Sequence, residues 1–558
     1  MKYYTFKKCG CTFPIITTDP LRIKLDTQLA NIPLTCESTW DLLSAGNTIG
    51  CFQLESRLGQ SFAKKLKPRN IAHLSALIAI IRPGCLDSIV DGKSLTMHYV
   101  DRKNGDEPVE YFHPALEEVL ADTYGILTYQ EQAMRIAQKI AGFSLQQSEV
   151  LRKSIGKKKA DLMAKVKKQF LDGAKETSIV NKEEAIEIFS WIEKSQKYSF
   201  NASHSFSYAM NAYVSAYAKA HFPRTFFTSY LYYAKQKPKP HEEINALANN
   251  AKTQDIEVCL PNICYMNRHF RLIGNDIYFG IIDIKNVGKS VVTRLETTIA
   301  KAEERFKKKI DQISWLEFLM FISQNVNSKA IKALISCGAM SHMGDQRTRM
   351  LYEFDTYTKL SAREQTWCES AVLSDCDWSK GYLDTANTDL LSILNLLHDA
   401  PVGRQGGCAN KNRVKKIEGL ITSLKNPPYK LVDSAEWLSG TEEALLGLPI
   451  TCASVESCDI SAANCSCKDF LQGNHPSLSL IAASVDDVKE IKTKTGKNPG
   501  QHMAFITVSD ITGSMDSVVA FPDTWLKYKR LLVIGNHVML SGEKGRDDGF
   551  VLGKVFQI

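Results

Sequence analysis

LRKSIGKKKADLMAKVKKQF (Leu151–Phe170) and YSFNASHSFSYAMNAYVSAY (Tyr198–Tyr217), the two ends of one stretch, decide how the rest of this chain is read. The first segment gathers Arg152, Lys153, Lys157, Lys158, Lys159, Lys165, Lys167 and Lys168 around a hinge at Gly156, a cation density suited to a polyanion such as phosphate. Beyond the hinge, Leu162, Met163, Val166 and Phe170 recur at helical spacing, which predicts a helix with one packed face and most of its lysines on the other. The second segment sets the polar tips of Asn201, Ser203, His204 and Ser205 between Tyr198, Phe200, Phe206 and Tyr208, so hydrogen-bond donors lie beside surfaces on which a base can stack. A solvated basic helix followed by an aromatic-rich core helix fits the same composition.

The 558 residues are enough for about three or four domains, and 44% hydrophobic content places the chain among globular proteins. A net charge of +8 is moderate for this length, so the clustering of cations carries more of the argument than their total. No apolar run is long enough to span a bilayer, and the start MKYYTFKKCGCTFP lacks the apolar segment of a leader; a cytoplasmic protein is expected. Fifteen scattered cysteines, an odd number, point the same way, to a reducing compartment.

Cys9 and Cys11 are half of a zinc site at most, and no metal is expected there. The apolar run Leu74–Ile81 stops at Arg82-Pro83-Gly84, where Arg82 suits either a phosphate contact or a helix C-terminus. Tyr129-Gln130-Glu131-Gln132 head a further helix as an exposed polar group. The proline- and lysine-rich KQKPKPH (Lys235–His241) reads as a linker. After the strand DIYFGIIDI, Lys285-Asn286-Val287-Gly288-Lys289 leads into a helix; hydrophobe-x-Gly before a helix N-terminus is the hairpin of a helix-hairpin-helix module, whose backbone N–H groups can hold one phosphate, and it is also a common structural turn. A looser second copy is SKAIKALISCGAM, ending at Cys337-Gly338-Ala339. Between about Gly344 and Gly473 helical periodicity alternates with polar loops, and Cys452, Cys458, Cys465 and Cys467 match no standard zinc spacing. From Ser477, SLIAASVDDVKEI, MAFITVSDI, DSVVAF, HVMLSGEK and FVLGKVFQI read as five strands with a helix at TWLKYKRLL, the pattern of an OB-fold barrel or another small barrel.

CFQLES (Cys51–Ser56), LIAIIRPG (Leu77–Gly84), TYGILTYQEQAMRIAQKIAGFSL (Thr123–Leu145), LRKSIGKKK, YSFNASHSFSYA and KAHFP (Lys219–Pro223) together, in this order, resemble the bacterial replicative DNA polymerase III alpha subunit, the C family of DNA polymerases. The resemblance implies a multidomain α+β protein: an N-terminal arm (1–20), a mainly helical fingers domain (21–235), a tandem helix-hairpin-helix region (236–345), a poorly matched helical and linker region (346–474) and a C-terminal five-stranded OB-fold β-barrel (475–558). It implies that Arg152, Lys153, Lys157, Lys158 and Lys159 face the nucleotide or template phosphates. Tyr198, Asn201, Ser203 and His204 would border the nascent base pair, and Lys285, Gly288 and Lys289 would hold DNA backbone.

The sequence departs from the family in three ways. LDTQLANIPL looks like the family's palm-to-fingers connection, so Asp26 is not one of the palm's three metal-binding aspartates, and none of these is recognised; Asp375-Cys376-Asp377 lies on the wrong side of the fingers. Lys153 stands where the family usually has a second arginine, and Ala202 replaces the lysine of its FNKSH motif. The expectation is the C-terminal portion of a split or truncated polymerase without catalytic or metal-binding residues of its own. Mg²⁺ would be held by a palm on a partner polypeptide, in the cytoplasm of a bacterial cell or phage-infected host. DNA primer-template and deoxynucleoside triphosphates would be its other partners; a sliding clamp is a further candidate, although no clamp motif is evident. The alternative is a non-catalytic DNA-binding protein derived from the fingers.

Overall fold

The computed structural model describes residues 32–157, 160–195, 199–344, 346–372, 389–403, 406–493, 499–545 and 549–558, together with the paired strands Lys2–Thr5 and Thr12–Ile15. Asp26, Cys9, Cys11 and Asp375-Cys376-Asp377 lie outside these residues. The chain forms two compact units, Met1–Phe226 and Phe227–Ile558.

The first unit is helical and has two cores, and the stretch Leu151–Tyr217 is divided between them. Met163, Val166 and Phe170 of the helix Ala160–Thr177 pack with Ile136 and Ile140 of Gln130–Ala141 and with Phe189 and Ile192 of Lys182–Ser195. The apolar stripe read from the sequence is therefore the packed face, while Lys165 and Lys168 are exposed and Lys167 pairs with Glu193 at 2.8 Å. The second core is built around the helix Ala202–His221, whose Ala209, Ala212, Tyr213 and Tyr217 meet Trp40 and the helix Ile71–Ile80. Leu74 to Ile80 are all buried, which explains a run without helical alternation: this helix has no solvent face over those residues. Pro83 does not merely end it; Pro83 is the first residue of the next helix, Pro83–Asp87, where its missing N–H is unneeded.

In the second unit a three-stranded sheet (Val258–Cys259, Arg271–Ile273 and Asp276–Tyr278) leads through a short 3₁₀ turn, Ile281–Asp283, to the helix Lys289–Phe306. The region hardest to read from sequence is helical: Arg347–Tyr357, Ala362–Val372, Leu390–Asp399, Lys411–Lys425 and Ala435–Leu446. Its anchors are buried charges. Arg347 donates to Glu442 Oε1 at 2.7 Å and to Thr451 Oγ1 at 2.9 Å, while Glu442 Oε2 accepts the N–H groups of Ile450 and Thr451. Such a pair holds its geometry because removing either partner would strand the other charge.

The chain closes with a barrel of five strands, Ser479–Lys492, His502–Asp510, Gly513–Ala520, His537–Lys544 and Phe550–Gln557. The third strand runs parallel to the fifth, all other pairings are antiparallel, and the helix Pro522–Tyr528 joins the third to the fourth, as in an OB fold. The barrel core reaches outside residues 475–558. Cys465, Cys467 and Phe470 belong to it, with the Phe470 ring 5.1 Å from Phe550. Cys467 N–H donates to Asp510 and Lys468 N–H to Thr512, which fixes this helix, Cys467–Gln472, under the barrel. Burial pushes both thiols up, so they sit there as small apolar side chains. Among the described residues no group of three or more His, Cys, Asp or Glu side chains is placed to hold a metal ion, and no helix is long and apolar enough to cross a membrane.

Candidate nucleic-acid interface

In the first unit the FNASH segment is bound to the YQEQ segment along its length. Phe200 N–H donates to Thr128 O, and Gln130 N–H donates back to Phe200 O. Asn201 caps the helix Ala202–His221: its Oδ1 accepts His204 N–H at 2.9 Å, and its Nδ2 donates to Glu131 Oε1 at 2.7 Å. The second Glu131 oxygen accepts Ala202 N–H at 2.9 Å, so a carboxylate from another helix fills this positive helix end. Beneath it Ser205 Oγ donates to Ser75 O, and the Ser75 hydroxyl shares a hydrogen bond with Tyr129, whose phenol burial pushes up to about 12. Ser203 and His204, in contrast, are exposed.

A line of rings runs outward from this anchor. The Arg82 guanidinium lies 3.8 Å over the Phe200 ring; Phe200 meets His204 at 5.3 Å, His204 meets Tyr208 at 3.9 Å, and Tyr208 meets Phe52 at 5.1 Å. Phe52 is held there from behind: its N–H donates to Ser215, and the turn before it is fixed by Lys219, buried, which donates to Asn47 O, Asn47 Oδ1 and Ile49 O. Burial brings the Lys219 amine down to about 8. Arg82, for which a helix C-terminus was one of two expectations, does reach Ile78 O with Nε at 3.4 Å while its guanidinium lies over the Phe200 ring.

Arg152 is not a free cation. Both arms of its guanidinium grip Glu149, at 2.6 and 2.8 Å; the grip raises the Arg152 pKa, and the Glu131 charge adds to that rise. Lys153 has a side chain 57% exposed and reaches the same carboxylate only at 3.9 Å, so it is the more available of the two. Lys158, Lys159 and Tyr198 lie outside the described residues, as does the side chain of Lys157.

In the second unit Lys285, Gly288 and Lys289 are exposed and Val287 is buried, which anchors the hairpin by its apolar residue. Lys285 N–H donates to Leu445 O, and Val287 N–H to Ile284 O. Gly288 stands at the N-cap of the helix Lys289–Phe306 with φ −94° and ψ 173°, a conformation open to any residue, and no side chain caps the helix. A Cβ at Gly288 would meet nothing within 4 Å. Neither the backbone nor the packing demands glycine there; what its bare Cα leaves open is close approach to the exposed N–H groups from outside. Gly338, the looser second copy, differs: it is buried with φ +81°, and a Cβ would come 2.6 Å from the Arg347 guanidinium.

Residues 17–178 match the family described as the bacterial DNA polymerase III alpha subunit finger domain, and residues 255–350 match the helix-hairpin-helix motif. DNA polymerase III subunit alpha of Aquifex aeolicus is 31% identical over 93% of this chain, and that of Bacillus subtilis is 30% identical over 93%. The chain is homologous to part of the DNA polymerase III alpha subunit. It spans 38% of the Aquifex protein's length and 41% of the Bacillus protein's. The Thermus aquaticus alpha subunit is 34% identical over 59% of the chain, covering 26% of its own length. The homology covers the fingers, the helix-hairpin-helix region and the barrel. Within this alpha-subunit framework the structure brings Asn201, Ser203 and His204 together on one helix start and leaves Lys285, Gly288 and Lys289 on one exposed turn. Glu131, Arg82, Phe52 and Lys219 hold the helix start and its line of rings across separations that no local motif spans. Glu131 was visible in the polar YQEQ run, but its partner lies 70 positions away.

Proposed function

We propose that this chain supplies the fingers and DNA-binding surfaces of a C-family DNA-directed DNA polymerase to a palm carried on another chain. The observation that carries the reading is the alpha-subunit finger domain followed by a helix-hairpin-helix turn whose glycine is open to an incoming backbone. The Gly288 turn holds a phosphate of the primer-template duplex through backbone N–H groups, with Lys285 and Lys289 adding charge. Ser203 and His204, beside the rings of Phe200 and Tyr208, border the nascent base pair. Lys153 meets the incoming triphosphate first, and Arg152 joins it by exchanging Glu149 for phosphate.

Phosphoryl transfer by the two-metal route needs carboxylates that hold the ions between attacking and leaving oxygens. On this reading Mg²⁺ is assigned to the palm and no chemical step to this chain. Primer extension tests the reading. The chain with Mg²⁺, primed template and nucleotides should extend nothing, and adding a palm-bearing polypeptide of the family should produce synthesis. In that mixture Arg152→Ala with Lys153→Ala should raise the nucleotide requirement by roughly ten- to a hundred-fold per lost contact while leaving primer-template affinity nearly intact. Duplex binding without any synthesis in the mixture would leave the non-catalytic DNA-binding reading in its place.

A further inference from the structure

Beside the hairpin the second unit presents rings to solvent that its fold does not need outside. On the helix Pro223–Ala234, Phe227, Leu231 and Ala234 fill the core, whereas Tyr232 is 42% and Tyr233 58% exposed. Tyr232 meets Tyr233 edge-to-face at 4.9 Å and His269 edge-to-face at 4.8 Å, so the three rings form one partly exposed cluster and not a closed stack. The cluster is tied to the hairpin. Asp283, with a side chain only 2% exposed, forms an ion pair with the Lys235 amine at 2.5 Å and stands 3.6 Å from His269 Nδ1. Lys235 also donates to Ile282 O. Both ends of the ring cluster are thereby fixed to the turn Ile281–Asp283, which runs directly into Lys285–Gly288. Of the lysines between Phe227 and His241, Lys235 pairs with Asp283 and Lys239 with Glu242 at 2.8 Å, whereas Lys237 donates to a neutral partner, Tyr230 Oη, at 3.3 Å and keeps its charge for a polyanion.

We propose that Tyr232, Tyr233 and His269, flanked by Lys235, form a stacking platform for the unpaired bases of a DNA strand running on from the duplex held at the Gly288 hairpin. The inference rests on the reading of that hairpin as a duplex-binding turn. Exposed ring faces cannot reach bases stacked inside a duplex, but each unpaired base offers a face of its own, whatever its identity. The hairpin supplies a sequence-independent phosphate contact, and the platform adds a preference for a junction between paired and unpaired DNA.

The test compares the full chain on a blunt duplex and on the same duplex with a single-stranded overhang, by fluorescence anisotropy, with 2-aminopurine at the first unpaired positions. The overhang should tighten binding about five-fold or more, and the 2-aminopurine emission should change on binding. Tyr233→Ala and Tyr232→Ala should bring the overhang-to-blunt affinity ratio close to one. Lys285→Ala with Lys289→Ala should weaken both DNAs and keep the ratio. The emission change, read in the unaltered chain, keeps the test decisive if a variant folds poorly. A wild-type ratio in both tyrosine variants, or silent 2-aminopurine, overturns the platform while the hairpin reading stands. Unchanged duplex affinity in the double lysine variant overturns the hairpin reading instead.

Discussion

The helices Ala202–His221 and Lys289–Phe306 start in opposite ways. Asn201 and the Glu131 carboxylate occupy the first start, so its positive end is already satisfied by the protein's own anion. At the second, Gly288 offers no side chain, and the space around its Cα is empty. A closed start fixes geometry, here the alignment of Phe200, His204 and Tyr208; an open one leaves donors for something from outside. Gly338 completes the contrast, because there glycine is required by a positive φ and by the guanidinium of Arg347.

The largest effect should come from the closed turn. Gly338→Ala combines left-handed backbone strain with displacement of the buried Arg347–Glu442 pair, and should destabilise the second unit by about 3 kcal/mol or more in urea unfolding. A change under about 1 kcal/mol would break the distinction between the two glycines. Next, Glu131→Ala strips the acceptor from Asn201 Nδ2 and Ala202 N–H and should lower stability by about 2 kcal/mol, with Glu131→Gln recovering part of it because one acceptor oxygen remains. Equal losses in the two variants would mean that the carboxylate acts otherwise than as this cap. The smallest effect concerns a third start, where Asn70 caps His73 N–H and the His73 ring bonds Tyr124. Burial first, then the Lys103 charge, holds His73 down at about 4, below its ordinary 6.5. The unfolded chain therefore binds the proton more readily, so the stability from neutral His73 is complete above about pH 6.5 and is lost as pH falls toward 4. The gap between wild type and His73→Gln should narrow between pH 7 and pH 5; a constant gap would contradict the assignment.

These contrasts also explain what the sequence disclosed. The barrel strands were legible because apolar and β-branched runs bounded by turn residues recur along Ser479–Gln557, and the hairpin because a hydrophobe and a glycine stand directly before a helix start. The helices between Arg347 and Leu446 were legible only in part: Leu390, Ile393, Leu394 and Leu397 bury at helical spacing, whereas Arg347 with Glu442 and Arg413 with buried Glu364 are fixed points that apolar periodicity does not register. Cys465 and Cys467 drew attention as a metal question, although their position is the barrel core; thiols read alike in both roles. At the site, the Asn201 cap was visible as polar tips between rings, but Glu131 acts across the fold and leaves no local pattern.

The Gly288 turn is a phosphate cradle in this reading, and the salt dependence of duplex affinity measures that directly. For the full chain, log affinity should fall linearly with log salt; Lys285→Ala with Lys289→Ala should make the slope shallower by about two units. Gly288→Val should weaken all duplex sequences alike while costing only about 1 kcal/mol of stability, that of a poorer N-cap residue, because its side chain enters empty space. An unchanged slope in the lysine variant together with wild-type affinity in Gly288→Val would contradict the cradle.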